Sequence, residues 1–190
     1  MMRLLHPFRQ QTDEDLMERA ATGSDRAFEE LYRRHARRLQ GFFFRQTGGD
    51  AELAADLTQD TFLRAYDSRQ RWQTGQQVAP WLFTIAYNLC RNMWRHNQTE
   101  AEYLNRLDRE PSEDATVEVT LDANRLDEAL RHVLDRLPRE ARALFSLHYE
   151  EDLTVPQLAQ MYHVPEGTIK SRLHKTITII RKQLKNYETF

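Results

Sequence analysis

One cysteine, Cys90, stands among 190 residues. It excludes an intramolecular disulfide and leaves no basis for a cysteine-based zinc site. Glycine and proline are scarce, at six each, and strand-like alternation is nearly absent, so the punctuation and period of a β-protein are missing. No apolar run approaches transmembrane length, and residues 1–12 lack the apolar block of a signal peptide. These absences predict a cytoplasmic protein without membrane insertion. No paired-carboxylate, nucleophile or phosphate-loop motif stands out, and the histidines are scattered. The residues therefore predict neither an enzyme nor a metal or cofactor site. Repeats and low-complexity tracts are absent too. Lysine is missing from everything before residue 170: Lys170, Lys175, Lys182 and Lys185 are the only four.

What is present reads as helix throughout, because apolar residues recur at spacings of three and four. The expected fold is all-α, with two small helical domains joined by an acidic flexible linker. Residues 1–12 form a tail, 13–97 the first domain, 98–122 the linker and 123–190 the second domain. The first helix spans Asp13 to Thr22. The next is capped by Ser24 or Asp25 and carries Phe28, Leu31, Tyr32, Leu39 and Phe42 through Phe44. Gly48-Gly49-Asp50 breaks it. A third helix covers Ala51 to Ser68, with Asp56, Gln59 and Asp60 on its polar side and Leu57, Phe62 and Leu63 on the other. Arg69 to Val78 is a polar loop holding Trp72 and Gly75. Pro80 suits the first turn of a helix to about Asn97, with Trp81, Ile85, Leu89 and Met93 as its inward stripe.

From Asn97 to Asp122 acids dominate and Pro111-Ser112-Glu113-Asp114 interrupts any helix, leaving only Ala101 to Leu107 as a helical candidate. Helical periodicity resumes with Leu126, Ala129, Leu130, Val133, Leu134 and Leu137, ended by Pro138. Arg139 to Tyr149 forms the next helix.

The C-terminal stretch has the organisation of a helix-turn-helix. Thr154 caps a helix containing Leu158, Ala159 and Tyr162, and a turn runs from His163 to Gly167. The final helix puts Ile169, Leu173, Ile177, Ile180 and Leu184 on one face. Lys170, Ser171, His174, Lys175, Thr178 and Lys182 occupy the other. No acid stands between Glu166 and Glu188. With a formal net charge of −2, a nucleic-acid surface has to be local, and this is where positive charge concentrates. Thr168 sits at the helix start, where free N–H groups and the dipole favour a phosphate. A recognition helix needs this pairing of an apolar docking stripe with outward cations and hydroxyls. The alternative is a solvated outer face of an ordinary terminal helix.

The helix from Pro80 to Asn97 carries a second surface. Tyr87, Asn88, Arg91, Trp94 and Arg95 lie outside the expected stripe, with Tyr87, Arg91 and Arg95 at i, i+4 spacing. Trp72 precedes them in the loop. Rings that stack, arginines that hold phosphates and an amide that reads a base edge suit unstacked bases. Core packing of Trp81, joined by Trp94, is the competing reading.

The succession AFEELYRRH, AADLTQDTFLRAY, WLFTIAYNLCRNMWR, acidic linker and LDRLPREARALFSLHYEEDLTVPQLAQMYHVPEGTIKSRLHK resembles bacterial extracytoplasmic-function (ECF) sigma factors of the sigma-70 family. The resemblance runs from about Asp13 to Leu184. It implies a subunit that binds core RNA polymerase, recognises promoter DNA and opens it, with 13–97 as sigma region 2 and 123–190 as region 4. On that analogy Asp56, Gln59 and Asp60 dock on the clamp of the largest polymerase subunit, and region 4 meets the flap of the second largest. Trp72, Tyr87 and Asn88 capture an unstacked base of the −10 element, with Arg91 and Arg95 on nearby phosphates. Lys170, Ser171, His174 and Lys175 face the −35 element, with Thr168 and Arg172 as phosphate contacts. Where relatives often carry Arg this chain has Lys and His, which favours phosphate contact over bidentate base readout. The resemblance also implies an anti-sigma partner, which can hold such a protein at the inner membrane. A dimeric helix-turn-helix regulator of duplex DNA is the alternative, but it has no use for a base-stacking surface.

Overall fold

The computed structural model describes residues 8, 10–104 and 124–187, and every regular element among them is helical. Contacts divide the chain into two units, Met1–Cys90 and Arg91–Phe190, with the division inside a long helix.

In the first unit, α1 (Asp13–Ala21) opens on a capping box. Thr12 Oγ1 accepts from the Asp15 N–H at 3.1 Å, and the Asp15 carboxylate accepts from the Thr12 N–H at 3.2 Å, satisfying two otherwise orphan donors. Ser24 caps α2 (Asp25–Gln46), and Asp50 caps α3 (Ala51–Ser68) at the Leu53 N–H, 2.9 Å. A single 3-10 turn, Arg69–Arg71, leads toward α4 (Val78–Leu104). The core combines Leu16 and Met17 with Leu31, Leu39, Phe42 and Phe43, and adds Phe62, Leu82 and Phe83. Phe42 and Phe83 meet edge to face at 5.7 Å, the geometry that ring quadrupoles favour.

A polar cluster ties α1 to α2. His35 Nε2 lies 2.6 Å from Asp13 Oδ2. Arg34 donates to Asp13, to Glu30 and to the carbonyls of Phe8 and Gln11, each at 2.8 Å. Glu30 also receives a two-pronged contact from Arg33. The hydrogen bond from His35, reinforced by Arg34, brings the Asp13 carboxyl from 3.8 down to about 2 against the opposing effect of burial. Arg33 and then Arg34 bring Glu30 from 4.5 to about 2. Stabilisation of the charged form by donors outweighs desolvation at both carboxylates.

The expected packing needs three corrections. Leu63 is 63% exposed, and Tyr32 and Phe44 are also outside. Thr58 and Thr61 take inward positions on α3 by returning their hydroxyls to the Ala54 and Leu57 carbonyls, at 2.7 and 2.8 Å, which rotates Leu63 outward. The buried face of α4 is Val78, Leu82, Ala86, Leu89 and Cys90 with Phe83, Tyr87 and Trp94, whereas Trp81, Ile85 and Met93 are only half-buried. The helix also runs past Asn97 to Leu104. The rest of the expected linker, with the later part of its helical candidate, lies outside the described residues.

The second unit comprises α5 (Asn124–Asp135), α6 (Arg139–Phe145), α7 (Val155–Tyr162) and α8 (Glu166–Tyr187), with α8 packed on the other three. Val133, Leu137 and Ile180 form one buried cluster, flanked by Leu130, Leu134, Phe145, Ile177 and Leu184. The helix expected over Arg139 to Tyr149 is α only to Phe145 and then widens into a π turn, Ser146–Glu150. The Leu153 N–H closes this region onto Leu147 O at 2.9 Å. His148 Nδ1 lies 2.8 Å from the Leu153 carbonyl; a carbonyl only accepts, so Nδ1 is the protonated nitrogen.

Candidate nucleic-acid interface

The helix-turn-helix is α7 and α8. Thr154 opens α7 with a capping box to Gln157, Pro156 lies in the first turn, and His163 closes it in the left-handed region at φ 53°. The Val164 N–H reaches back to Ala159 O at 3.1 Å, which satisfies a terminal carbonyl. The left-handed residue is thus His163, and Gly167 lies within the first turn of α8. Thr168 is the third residue of α8 and so at the helix start as expected, with its N–H already given to Pro165 O at 2.9 Å. A phosphate contact from Thr168 therefore falls to its hydroxyl.

Ile169, Leu173, Thr176 and Ile180 are the buried face of α8. Lys170, Ser171, Arg172, His174 and Lys175 are all exposed, as are Thr178 and Lys182. Lys170 Nζ lies 3.7 Å from Glu166 Oε2 one turn earlier, an exposed pair that contributes little.

On α4, Asn88, Arg91, Asn92 and Arg95 are exposed, and Arg95 Nη2 donates to Asn92 Oδ1 at 3.1 Å. Trp72 and Tyr87 do not join them at the surface, being 7% and 4% exposed. Tyr87 belongs to the buried face. The Trp72 indole N–H is buried without an acceptor among the described residues. The free chain thus presents amide and guanidinium groups on α4, with the aromatic rings packed beneath.

Asp56, Gln59 and Asp60 are exposed on α3. Gln59 is also on the wall of an open groove of about 370 Å³ formed with Phe28, Tyr32, Phe62, Leu63 and Tyr66. Tyr32 and Phe62 pack at 4.6 Å, and the Tyr66 hydroxyl donates to Asp25 at 2.7 Å. Sequence reasoning missed this apolar floor. The signal was Leu63, one turn beyond Gln59 and so on the same face. Among the described residues no group of three or more His, Cys, Asp or Glu could hold a metal ion, and no helix is long and apolar enough to cross a membrane.

Residues 31–100 match Sigma-70 region 2, and residues 127–178 match Sigma-70, region 4. The RNA polymerase sigma factor CarQ of Myxococcus xanthus is 34% identical over 176 residues, covering 90% of this chain and 97% of CarQ. The ECF RNA polymerase sigma factor SigE of Mycolicibacterium smegmatis is 36% identical over 172 residues, covering 88% of this chain and 65% of SigE. The chain belongs to the ECF sigma factors of the sigma-70 family.

A sigma factor is a non-enzymatic subunit that binds core RNA polymerase and promoter DNA and directs promoter recognition and initiation. Two solved structures share the fold. CnrH, in complex with the cytosolic domain of CnrY, has a TM-score of 0.68 at 22% identity, covering 92% of the sigma factor and 97% of CnrH. RpoE of Bartonella quintana, in complex with the anti-sigma factor NepR, has a TM-score of 0.66 at 22% identity, covering 83% and 96%.

Proposed function

We propose that this sigma factor divides promoter recognition between α8, which grips the −35 duplex, and α4, which takes the opened −10 strand. The supporting observation is a contrast between two exposed faces. On α8, Lys170, Arg172 and Lys175 stand outward over a buried stripe, as duplex docking requires. On α4, Asn88 stands with Arg91 and Arg95, an amide with flexible cations that suits an unstacked base and its phosphates. Trp72 and Tyr87 then serve as walls beneath a captured base. Ser171 and His174 lie on the groove-facing side of α8, and Thr168 offers its hydroxyl to a phosphate.

Asp56, Gln59 and Asp60 bind the clamp of the largest polymerase subunit, with Leu63 and the groove beside Gln59 supplying apolar area. The second domain meets the flap of the second largest. Domains 13–97 and 123–190 carry the two jobs, with 98–122 connecting them. An anti-sigma factor is the expected regulator, by analogy with the partners of CnrH and RpoE.

The test uses holoenzyme reconstituted with core polymerase. Lys175→Ala weakens duplex capture and reduces the slope of log affinity against log salt by about 1, the loss of one phosphate contact. Asn88→Ala impairs strand opening, read by permanganate reactivity, while upstream capture holds. Equal effects of both substitutions on both steps would remove the division of labour.

A further inference from the structure

The N-terminus of α4 is capped from a distant part of the chain. Gln76 and Gln77 precede Val78, so no Ser, Thr, Asp or Asn is in place to cap it locally. Glu14 Oε1 instead accepts from the Val78 N–H at 3.2 Å, across 64 positions. A carboxylate there also meets the positive end of the helix dipole. The other end of the connecting segment is held by the same short helix. Arg69 Nε donates to the Ala20 carbonyl at 3.2 Å, and its guanidinium lies 3.7 Å from the centre of the Tyr66 ring.

Residues 69–78 are thus tied at both ends to α1, a helix of nine residues. Between the ties lie the buried Trp72 and the exposed Gly75, the latter at φ 93°, where a side chain would be strained. The register of α1 is fixed in turn by the Thr12–Asp15 capping box and by the Asp13 contacts to Arg34 and His35. Four consecutive residues, 12 to 15, therefore each have a distinct polar task, and that of Glu14 is the only one directed at α4.

We infer that α1 is a splint for the first turn of α4 and for the loop that carries Trp72, and that Glu14 is a positioning residue for promoter opening. This rests on the assignment of the α4 face to the −10 strand. Without the cap the first turn of α4 frays and residues 72–77 lose their fixed path. The fraction of molecules with Trp72 in place beneath the captured base falls, and apparent affinity falls with it.

The experiment uses core polymerase with wild type, Glu14→Ala and Glu14→Gln. The probe is a fork-junction DNA whose single-stranded −10 segment is the sequence enriched by wild-type holoenzyme from a randomised library, compared with a scrambled segment. Glu14→Ala is expected to cut the preference for the enriched segment by about three- to tenfold, the scale of a lost helix cap. Glu14→Gln retains most of it, because the amide oxygen accepts the same N–H. Core binding and −35 duplex binding stay at wild-type values in both. A wild-type preference in Glu14→Ala overturns the inference, as does a Gln variant as impaired as Ala or a parallel loss of core binding. If wild type itself shows no preference, the −10 assignment fails first and the inference falls with it.

Discussion

Replacing Asp13 by Asn tests the charged cluster that ties α1 to α2. The carboxyl sits at about 2 where 3.8 is ordinary. At about 1.4 kcal/mol per unit that depression is worth roughly 2.4 kcal/mol. Asp13 is 27% exposed, so solvent screening leaves about 1.5 kcal/mol. The folded-state value lies below the unfolded one. The contribution is therefore complete above about pH 5 and declines as pH falls from 3.8 through 2, with about a third surviving at pH 2.5. The assay is urea unfolding followed by tryptophan fluorescence, since Trp72, Trp81 and Trp94 are the three tryptophans and report on α4 and the loop before it. With an m-value near 1 kcal/mol per molar, the wild-type midpoint exceeds that of Asp13→Asn by about 1.5 M at pH 7. The gap shrinks to about 0.5 M at pH 2.5, again by that linkage. A gap of equal size at both pH values would show that the substitution acts through packing and refute the ionic argument.

Leu63→Ser removes an exposed side chain, so the unfolding midpoint moves by less than about 0.5 kcal/mol. Affinity for core polymerase, measured by competition against wild type, falls several-fold; unchanged affinity would take the groove out of the docking surface. His163→Gly relieves a left-handed residue and raises the stability of the second unit by about 0.5–1 kcal/mol in thermal unfolding. A loss there would mean that the His163 side chain contributes more than its backbone geometry costs.

Helix positions were legible wherever caps and breakers bracket them. Ala51 to Ser68 is the helix expected from Gly48-Gly49-Asp50 and the apolar spacing, and Thr154 opens α7 as its position before Pro156 implies. Phase was harder to read than extent. On α4 the largest apolar side chains suggested a stripe through Trp81 and Ile85, but the buried line runs through Val78, Leu82, Ala86 and Cys90. On α3 the inward places of Thr58 and Thr61 depend on hydroxyl-to-carbonyl bonds that hydropathy does not encode. The cations and amide of the candidate DNA surfaces were visible, because exposed charge follows from sequence periodicity. Burial of Trp72 and Tyr87 was not, because it depends on α4's rotation and on what packs over the preceding loop. Glu14 was equally hidden: a bond across 64 positions leaves no local pattern.

The confinement of lysine to α8 has a practical consequence. Lys170, Lys175, Lys182 and Lys185 are all exposed, and every cation elsewhere is arginine or histidine. Apart from the terminal amine, an acylating reagent at neutral pH therefore addresses this single helix. Mass-spectrometric footprinting with such a reagent reads the proposed −35 contact one residue at a time, without a mutation, while the arginines of α4 go unlabelled in the same tube.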